Sequence, residues 1–129
     1  MPAARLVPGL PALYAAIGGL VERGEWTTYG DISVVVHGSR RYARHVGRAA
    51  ATYEPFANAQ RVLGSGGLVA AGWRDAHGDG PAACRRRLER EGVDFVGGRA
   101  DPRRGITWED LIARADAAGL PRAAVISFT

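Results

Sequence analysis

Residues 28–51 of the chain have the sequence TYGDISVVVHGSRRYARHVGRAAA. Thr28 is expected to cap a short helix, with Asp31 as the capping-box partner three residues later. Gly38 then provides a tight turn, and a further helix is expected over residues 40–51. A short helix, a glycine turn and a second helix in this order predict a helix-turn-helix unit.

The helix predicted over residues 40–51 has two different faces. Its apolar side contains Tyr42, Val46 and two alanines, and basic side chains occupy much of the rest: Arg40, Arg41, Arg44, His45 and Arg48. Such a surface suits a polyanion, because arginines that neutralise phosphates release condensed counterions. The alternative is a solvated face without a partner, as most charged helix faces are.

Helical patterns dominate the rest of the chain. Apolar residues recur at intervals of three and four over residues 8–23, which predicts an amphipathic first helix. A proline at the start predicts another helix over residues 81–91. Glycine-rich residues 52–73 are expected to form a loop with one short strand at 68–71, and residues 75–81 to form a flexible surface segment. The predicted fold is mainly α, a helix-turn-helix or winged-helix-like domain with a small β wing.

The C-terminal part is predicted to be a helical extension. A polar linker leads to a capping box at Thr107 and a helix to residue 118, and residues 123–128 could form a strand. We therefore expect a DNA-binding domain over residues 1–96 and an extension over 97–129. The extension either packs on that domain or recruits a partner.

Composition fits one compact unit in the cytoplasm. The chain has 129 residues, of which 47% are hydrophobic, and a net charge of +4. That charge favours a polyanionic partner, although the complete preference for arginine over lysine is also what GC-rich coding produces. The sequence contains no apolar run of membrane-spanning length, and we expect no secretion signal.

Enzymatic and metal chemistry have little support. The lone Cys84 has no intrachain partner, so neither a disulfide framework nor a structural zinc site is indicated. His37, His45 and His77 lie on dissimilar predicted elements, and no lysine is present to complete a phosphate-binding loop. We expect no metal, no cofactor and no enzymatic activity.

Four motifs together resemble one family. They are GEWTTYGDI at residues 24–32, ARHVG at 43–47, RVL before a glycine-rich turn at 61–63, and LxxEGVxF at 88–95. In this order they resemble the alkylguanine-DNA alkyltransferases and their non-transferring alkyltransferase-like relatives, over about residues 8–96. The resemblance implies minor-groove binding of double-stranded DNA by the helix-turn-helix.

The resemblance also implies roles for single residues. In that family an arginine fills the space of a flipped base and a tyrosine turns the target phosphate, which by motif are Arg44 and Tyr29. Arg40, Arg41 and Arg48 are then expected to contact phosphates. A guanidinium suits the first role, because it stacks and forms hydrogen bonds in the vacated space.

The reactive motif of the transferases, Pro-Cys-His-Arg, is replaced here by Asn58, Ala59, Gln60 and Arg61. A methyl group cannot attack an alkyl carbon, and an amide cannot take up a thiol proton. Alkyl transfer is therefore not expected. The predicted base pocket consists of Ala59, Gln60, Arg61 and Trp73; the last either stacks on the base or packs on the core.

Two functions remain open. The first is a non-enzymatic protein that senses or flips an alkylated or modified guanine and flags it for repair, with a repair or nuclease partner. The alternative is a winged-helix module that binds DNA or protein without base flipping and accompanies a nuclease or resistance system. A base-sized cavity beside Ala59 that opens toward Arg44 would favour the first; a pocket filled by Gln60 or Trp73 would favour the second.

Overall fold

The computed structural model describes residues 9–120. Over these residues the chain forms helices α1 (Leu10–Gly18), α2 (Tyr29–His37), α3 (Ala43–Thr52), α4 (Pro81–Arg90) and α5 (Trp108–Ala117). Four two-residue strands accompany them: β1 (Thr27–Thr28), β2 (Val62–Leu63), β3 (Phe95–Val96) and β4 (Arg99–Ala100). The predicted mainly α fold with a small β component is confirmed.

Helix α1 is shorter than its apolar pattern predicts. It ends at Gly18, which a second glycine follows, and the chain continues in tight turns. Glycine weakens a helix by about 1 kcal/mol relative to alanine, so two in succession favour an end at this point. Gly18 also admits the Phe56 ring, since a Cβ there would lie 2.9 Å from that ring. The predicted inward stripe is correct, because Leu13, Ile17 and Val21 are buried.

Helix α2 has the predicted Thr28 cap and the predicted glycine end, but the Asp31 carboxylate lies against Arg40 and does not complete the predicted capping box. The hydroxyl of Thr28 accepts a hydrogen bond of 3.0 Å from the backbone N–H of Asp31. Gly38 ends the helix at φ 74°, in the left-handed region where only glycine is unstrained. Ile32, Val35 and Val36 on its inner face are fully buried.

The turn between α2 and α3 is fixed by Ser33. Its hydroxyl donates to the carbonyl of Ser39 and accepts from the backbone N–H of Tyr42 at 3.1 Å. The chain forms one 3₁₀ turn, Arg40–Tyr42, before α3 begins. Helix, glycine turn and arginine-bearing helix therefore occur in the predicted order.

The strands lie at other positions than the predicted wing. Strands β1 and β2 pair in parallel and place the buried Val62 and Leu63 beside the start of α2. Strands β3 and β4 form an antiparallel hairpin. The strand predicted over 68–71 is absent from the structure's described part, where Leu68 makes a single bridge to Arg99. Two glycines at positive φ precede Leu68 and turn the chain away from an extended course.

Helix α5 packs against α2. It begins with the predicted capping box of Thr107 and Asp110, and its residues Leu111 and Ala115 are fully buried. Arg114 is hydrogen bonded to Glu25 at 2.7 Å. The boundary between residues 96 and 97 stays a prediction, and the strand predicted over 123–128 lies outside the described residues. No helix within residues 9–120 is long and apolar enough to cross a membrane.

Candidate functional site

An open cleft lies beside the N-terminus of α2. Its volume is about 490 Å³, which is within the range of sites for small organic groups. The first residues of α2 form one wall, Arg40 and Ala43 form another, and residues 63–66 after β2 close the third side. The parallel pairing of β1 with β2 brings these segments together.

An ion pair crosses the wall of this cleft. Nη2 of Arg40 lies 2.7 Å from Oδ1 of Asp31, and the Asp31 side chain is 10% exposed while that of Arg40 is 60% exposed. Arg40 reaches Asp31 by lying across Gly30, where a Cβ would stand 2.9 Å from Nη1. The predicted phosphate contact Arg40 therefore has an internal partner, which the sequence reasoning did not anticipate.

The outer face of α3 extends from this cleft. Arg44 follows the cleft residue Ala43, and Arg48 lies one turn further on; both are exposed and have no ion-pair partner among residues 9–120. The guanidinium of Arg41 lies 5.9 Å from the ring centre of Tyr42. The predicted arginines thus lie on the turn before α3 and on α3 itself.

Tyr29 belongs both to the cleft and to the interior. It lines the cleft, yet its ring packs near Gly47 of α3, where a Cβ would lie 3.8 Å from it. Burial, and then the nearby Cys84, raise the pKa of Tyr29 to about 12, while Trp73 acts in the opposite direction. The hydroxyl therefore keeps its proton and is close to Trp73. The indole nitrogen of Trp73 is itself buried without a well-oriented acceptor among the described residues.

The four residues predicted to form the base pocket do not line this cleft. Ala59 is 3% exposed and Trp73 5% exposed, and both belong to the hydrophobic core. Gln60 donates to Glu91 at 3.1 Å, and Nε of Arg61 donates to Glu91 at 2.9 Å. Burial acts to raise the pKa of Glu91, but these two hydrogen bonds, the charge of Arg61 and a backbone hydrogen bond from Gly24 together lower it. A role of the four residues in binding a base stays a prediction.

A cluster that sequence reasoning missed fixes the loop after Trp73. Asp75 is 6% exposed, and its Oδ1 accepts from two backbone N–H groups of the same turn at 3.0 Å. Arg87 of α4 donates to Oδ2 of Asp75 at 2.9 Å and also pairs with Asp79. The segment predicted as a flexible surface loop is thus held to α4. An acidic turn directly before a basic helix is the signal that could have indicated this.

The single cysteine of the chain, Cys84, lies in the interior. The Cys84 thiol is fully buried, with Sγ 3.6 Å from the carbonyl oxygen of Gln60. Burial raises the pKa of Cys84 to about 12, so a thiolate is not available. Within residues 9–120 no three His, Cys, Asp or Glu side chains could together hold a metal ion.

A solved structure of a known protein is similar to this chain. No protein-family model matches the sequence, and no curated protein matches it. Among solved structures the chain is similar to the crystal structure of S. pombe Atl1 in complex with damaged DNA containing O6-carboxymethylguanine. The two are 26% identical with a TM-score of 0.55, and the match covers 78% of this chain and 99% of Atl1. The resemblance to the alkyltransferase-like family that the four sequence motifs predict is thereby confirmed.

Proposed function

We propose that the protein binds double-stranded DNA through α2 and α3 and extrudes an alkylated or otherwise modified guanine without reacting with it. The observation that carries this proposal is the match to Atl1, because that structure contains damaged DNA and the match covers 99% of the Atl1 chain. The bound protein would then mark the lesion for a repair or nuclease partner.

The charges on α3 support DNA binding. Arg44 and Arg48 are exposed, and within the described part of the chain no carboxylate neutralises them. An arginine that is already paired releases fewer counterions on binding a phosphate than an unpaired one. These two side chains are therefore the best placed on α3 to gain free energy from DNA.

Extrusion without chemistry is supported by the exposed Arg44 and by the alanine at position 59, where the transferases have their reactive cysteine. Arg44 follows the cleft residue Ala43 and is exposed, as a side chain that enters the base stack must be. Ala59 offers no nucleophile, and the thiol of Cys84 is buried and protonated. A modified base is cheaper to extrude than an intact pair, which would favour lesions over plain DNA.

One observation favours the alternative, DNA binding without base flipping. Ala59 does not line the cleft, and Trp73 fills the interior near Tyr29. Because Ala59 is 3% exposed, a base could reach it only if the surrounding side chains moved. In this second function the helix-turn-helix binds DNA and the interior stays closed.

A fluorescence titration separates the two functions. Duplexes carry 2-aminopurine beside O6-methylguanine, and a matched duplex carries 2-aminopurine beside guanine. Extrusion unstacks the probe, so the proposal requires a fluorescence increase that is larger for the modified duplex and saturates with protein. Binding by anisotropy without a change in 2-aminopurine fluorescence would establish the alternative, and no binding to either duplex would overturn both.

A further inference from the structure

We infer that Asp31 acts as an internal counterion that weakens the binding of ordinary DNA phosphates to Arg40, and so lowers affinity for unmodified duplex. This inference rests on the proposed DNA binding and adds to it a residue that limits affinity. Asp31 and Arg40 are the two charged residues that line the cleft.

The pair is built into the fold. Asp31 is held in place because α2 begins at Tyr29 and the backbone N–H of Asp31 donates to the Thr28 cap. Arg40 is brought opposite by the serine-fixed turn after Gly38. The contact of 2.7 Å joins a side chain that is 10% exposed to one that is 60% exposed.

Gly30 determines how Arg40 lies. A Cβ at this position would come within 2.9 Å of Nη1 and 3.6 Å of Cγ of Arg40, so the absence of a side chain lets the arginine lie flat over the first turn of α2. The Arg40 side chain therefore lies at the wall of the cleft with Nη2 beside Oδ1 of Asp31, as a charge contact without hydrogen-bond geometry, and it stays 60% exposed. A phosphate approaching that surface meets the carboxylate as well.

The electrostatic consequence is a weakened contact. An isolated arginine that neutralises one phosphate contributes about 0.9 to the slope of log K against log salt. The pair of Arg40 and Asp31 is neutral as a unit, so its contribution to counterion release is small. The unpaired Arg48 gives the full contribution. Affinity for plain DNA is accordingly lower than the number of arginines at this surface indicates.

The test uses Asp31→Asn in the full chain, because asparagine keeps the shape and the backbone N–H that caps α2. Binding of an unmodified duplex is measured by anisotropy over a range of salt concentrations. We expect Asp31→Asn to bind about three-fold more tightly, in line with the strength of exposed ion pairs, and to have a salt slope steeper by about 0.9. The double variant Asp31→Asn/Arg40→Gln removes the whole neutral pair and should return to the wild-type slope.

A matched control separates this local effect from net charge. Glu89→Gln removes the carboxylate from another exposed pair, that with Arg85 on α4, and changes the net charge equally. It should leave the slope unchanged. A gain of similar size in Glu89→Gln, or weaker binding by Asp31→Asn, would overturn the inference.

Two further outcomes are decided by the same data. If Asp31→Asn did not fold, the comparison would rest on the double variant. A salt slope about 0.9 flatter than that of the wild type would then overturn the inference, because it would mean that Arg40 already contributes a full charge. If the wild-type protein bound no duplex at all, the proposed function would fail. A wild-type protein that binds while Asp31→Asn does not bind more tightly would refute the inference alone.

Discussion

The hydroxyl of Tyr14 lies 2.6 Å from Nε2 of His37 and joins α1 to the last turn of α2. Burial raises the pKa of Tyr14 to about 12, so the phenol keeps its proton and forms a hydrogen bond with the imidazole. The His37 ring in turn packs on Tyr42 with ring centres 4.6 Å apart. The three side chains connect α1, α2 and the turn before α3.

Folding stability should fall as the pH drops through the range of His37. Burial, and then the nearby His45, lower the pKa of His37 from its ordinary 6.5. The unfolded chain therefore takes up the proton first, and the stability due to neutral His37 is present above pH 6.5 and lost as the pH falls through its folded pKa. Urea unfolding at several values between about pH 5 and 8 measures this.

The matched variant for this pH dependence is His37→Gln, which retains hydrogen-bonding groups but does not titrate. Its stability should change less between about pH 5 and 7 than that of the wild type. The lowered pKa values of Asp75 and Glu91 affect stability only in more acidic solution, because their ordinary values are 3.8 and 4.5. An unchanged pH dependence in His37→Gln would show that other groups are responsible.

Loss of Arg61 should destabilise the fold. Its side chain is 14% exposed, pairs with Glu91 at 2.9 Å and donates to the carbonyl oxygen of Val21 at 2.9 Å. Arg61→Met leaves the 7%-exposed Glu91 without its charge partner, which costs about 3 kcal/mol for a buried pair. Denaturant unfolding measures the loss. The exposed Arg85→Met is the control, with an expected change of less than about 1 kcal/mol.

The local signals of the fold could be predicted from the sequence. The cap at Thr28, the left-handed Gly38 and the capping box of Thr107 with Asp110 each involve residues within a few positions of one another. The end of α1 also has a local signal, the two successive glycines Gly18 and Gly19. The contact of the Phe56 ring with Gly18 has none, because the two residues lie far apart in the sequence.

The candidate site shows the same division between local and distant contacts. Arg44 and Arg48 could be placed on an exposed helix face from periodicity alone. Gln60 and Arg61 are hydrogen bonded to Glu91, which lies 30 residues or more further along the chain, and no local pattern indicates these bonds. Only a structure shows that these two polar side chains are hydrogen bonded within the protein.

Cys84 should not react with thiol reagents in the folded protein. It is fully buried, and burial raises its pKa to about 12, so neither access nor a thiolate is available. A disulfide exchange reagent should therefore modify the native chain slowly and the urea-unfolded chain completely. Rapid modification without denaturant would contradict the packing of α4 against the 3₁₀ turn at Ala59–Arg61.

Two arginines on α3 should differ in what they contribute to DNA binding. Arg44 is proposed to occupy the space of an extruded base, so Arg44→Ala should reduce the preference for O6-methylguanine duplex over plain duplex. Arg48 is proposed to contact a phosphate, so Arg48→Ala should weaken binding to both duplexes equally and flatten the salt slope by about 0.9. Competition anisotropy with the two duplexes measures both effects.

The control is Arg86→Ala on α4, because Arg86 is also exposed and α4 is a different helix, which packs against the 3₁₀ turn at Ala59–Arg61. This variant should match the wild type in both measurements. Since all three substitutions remove one positive charge, a common loss would reflect only net charge. If Arg44→Ala reduced affinity for both duplexes by the same factor, as Arg48→Ala is expected to do, Arg44 would be another phosphate contact and the base-replacing role would be wrong.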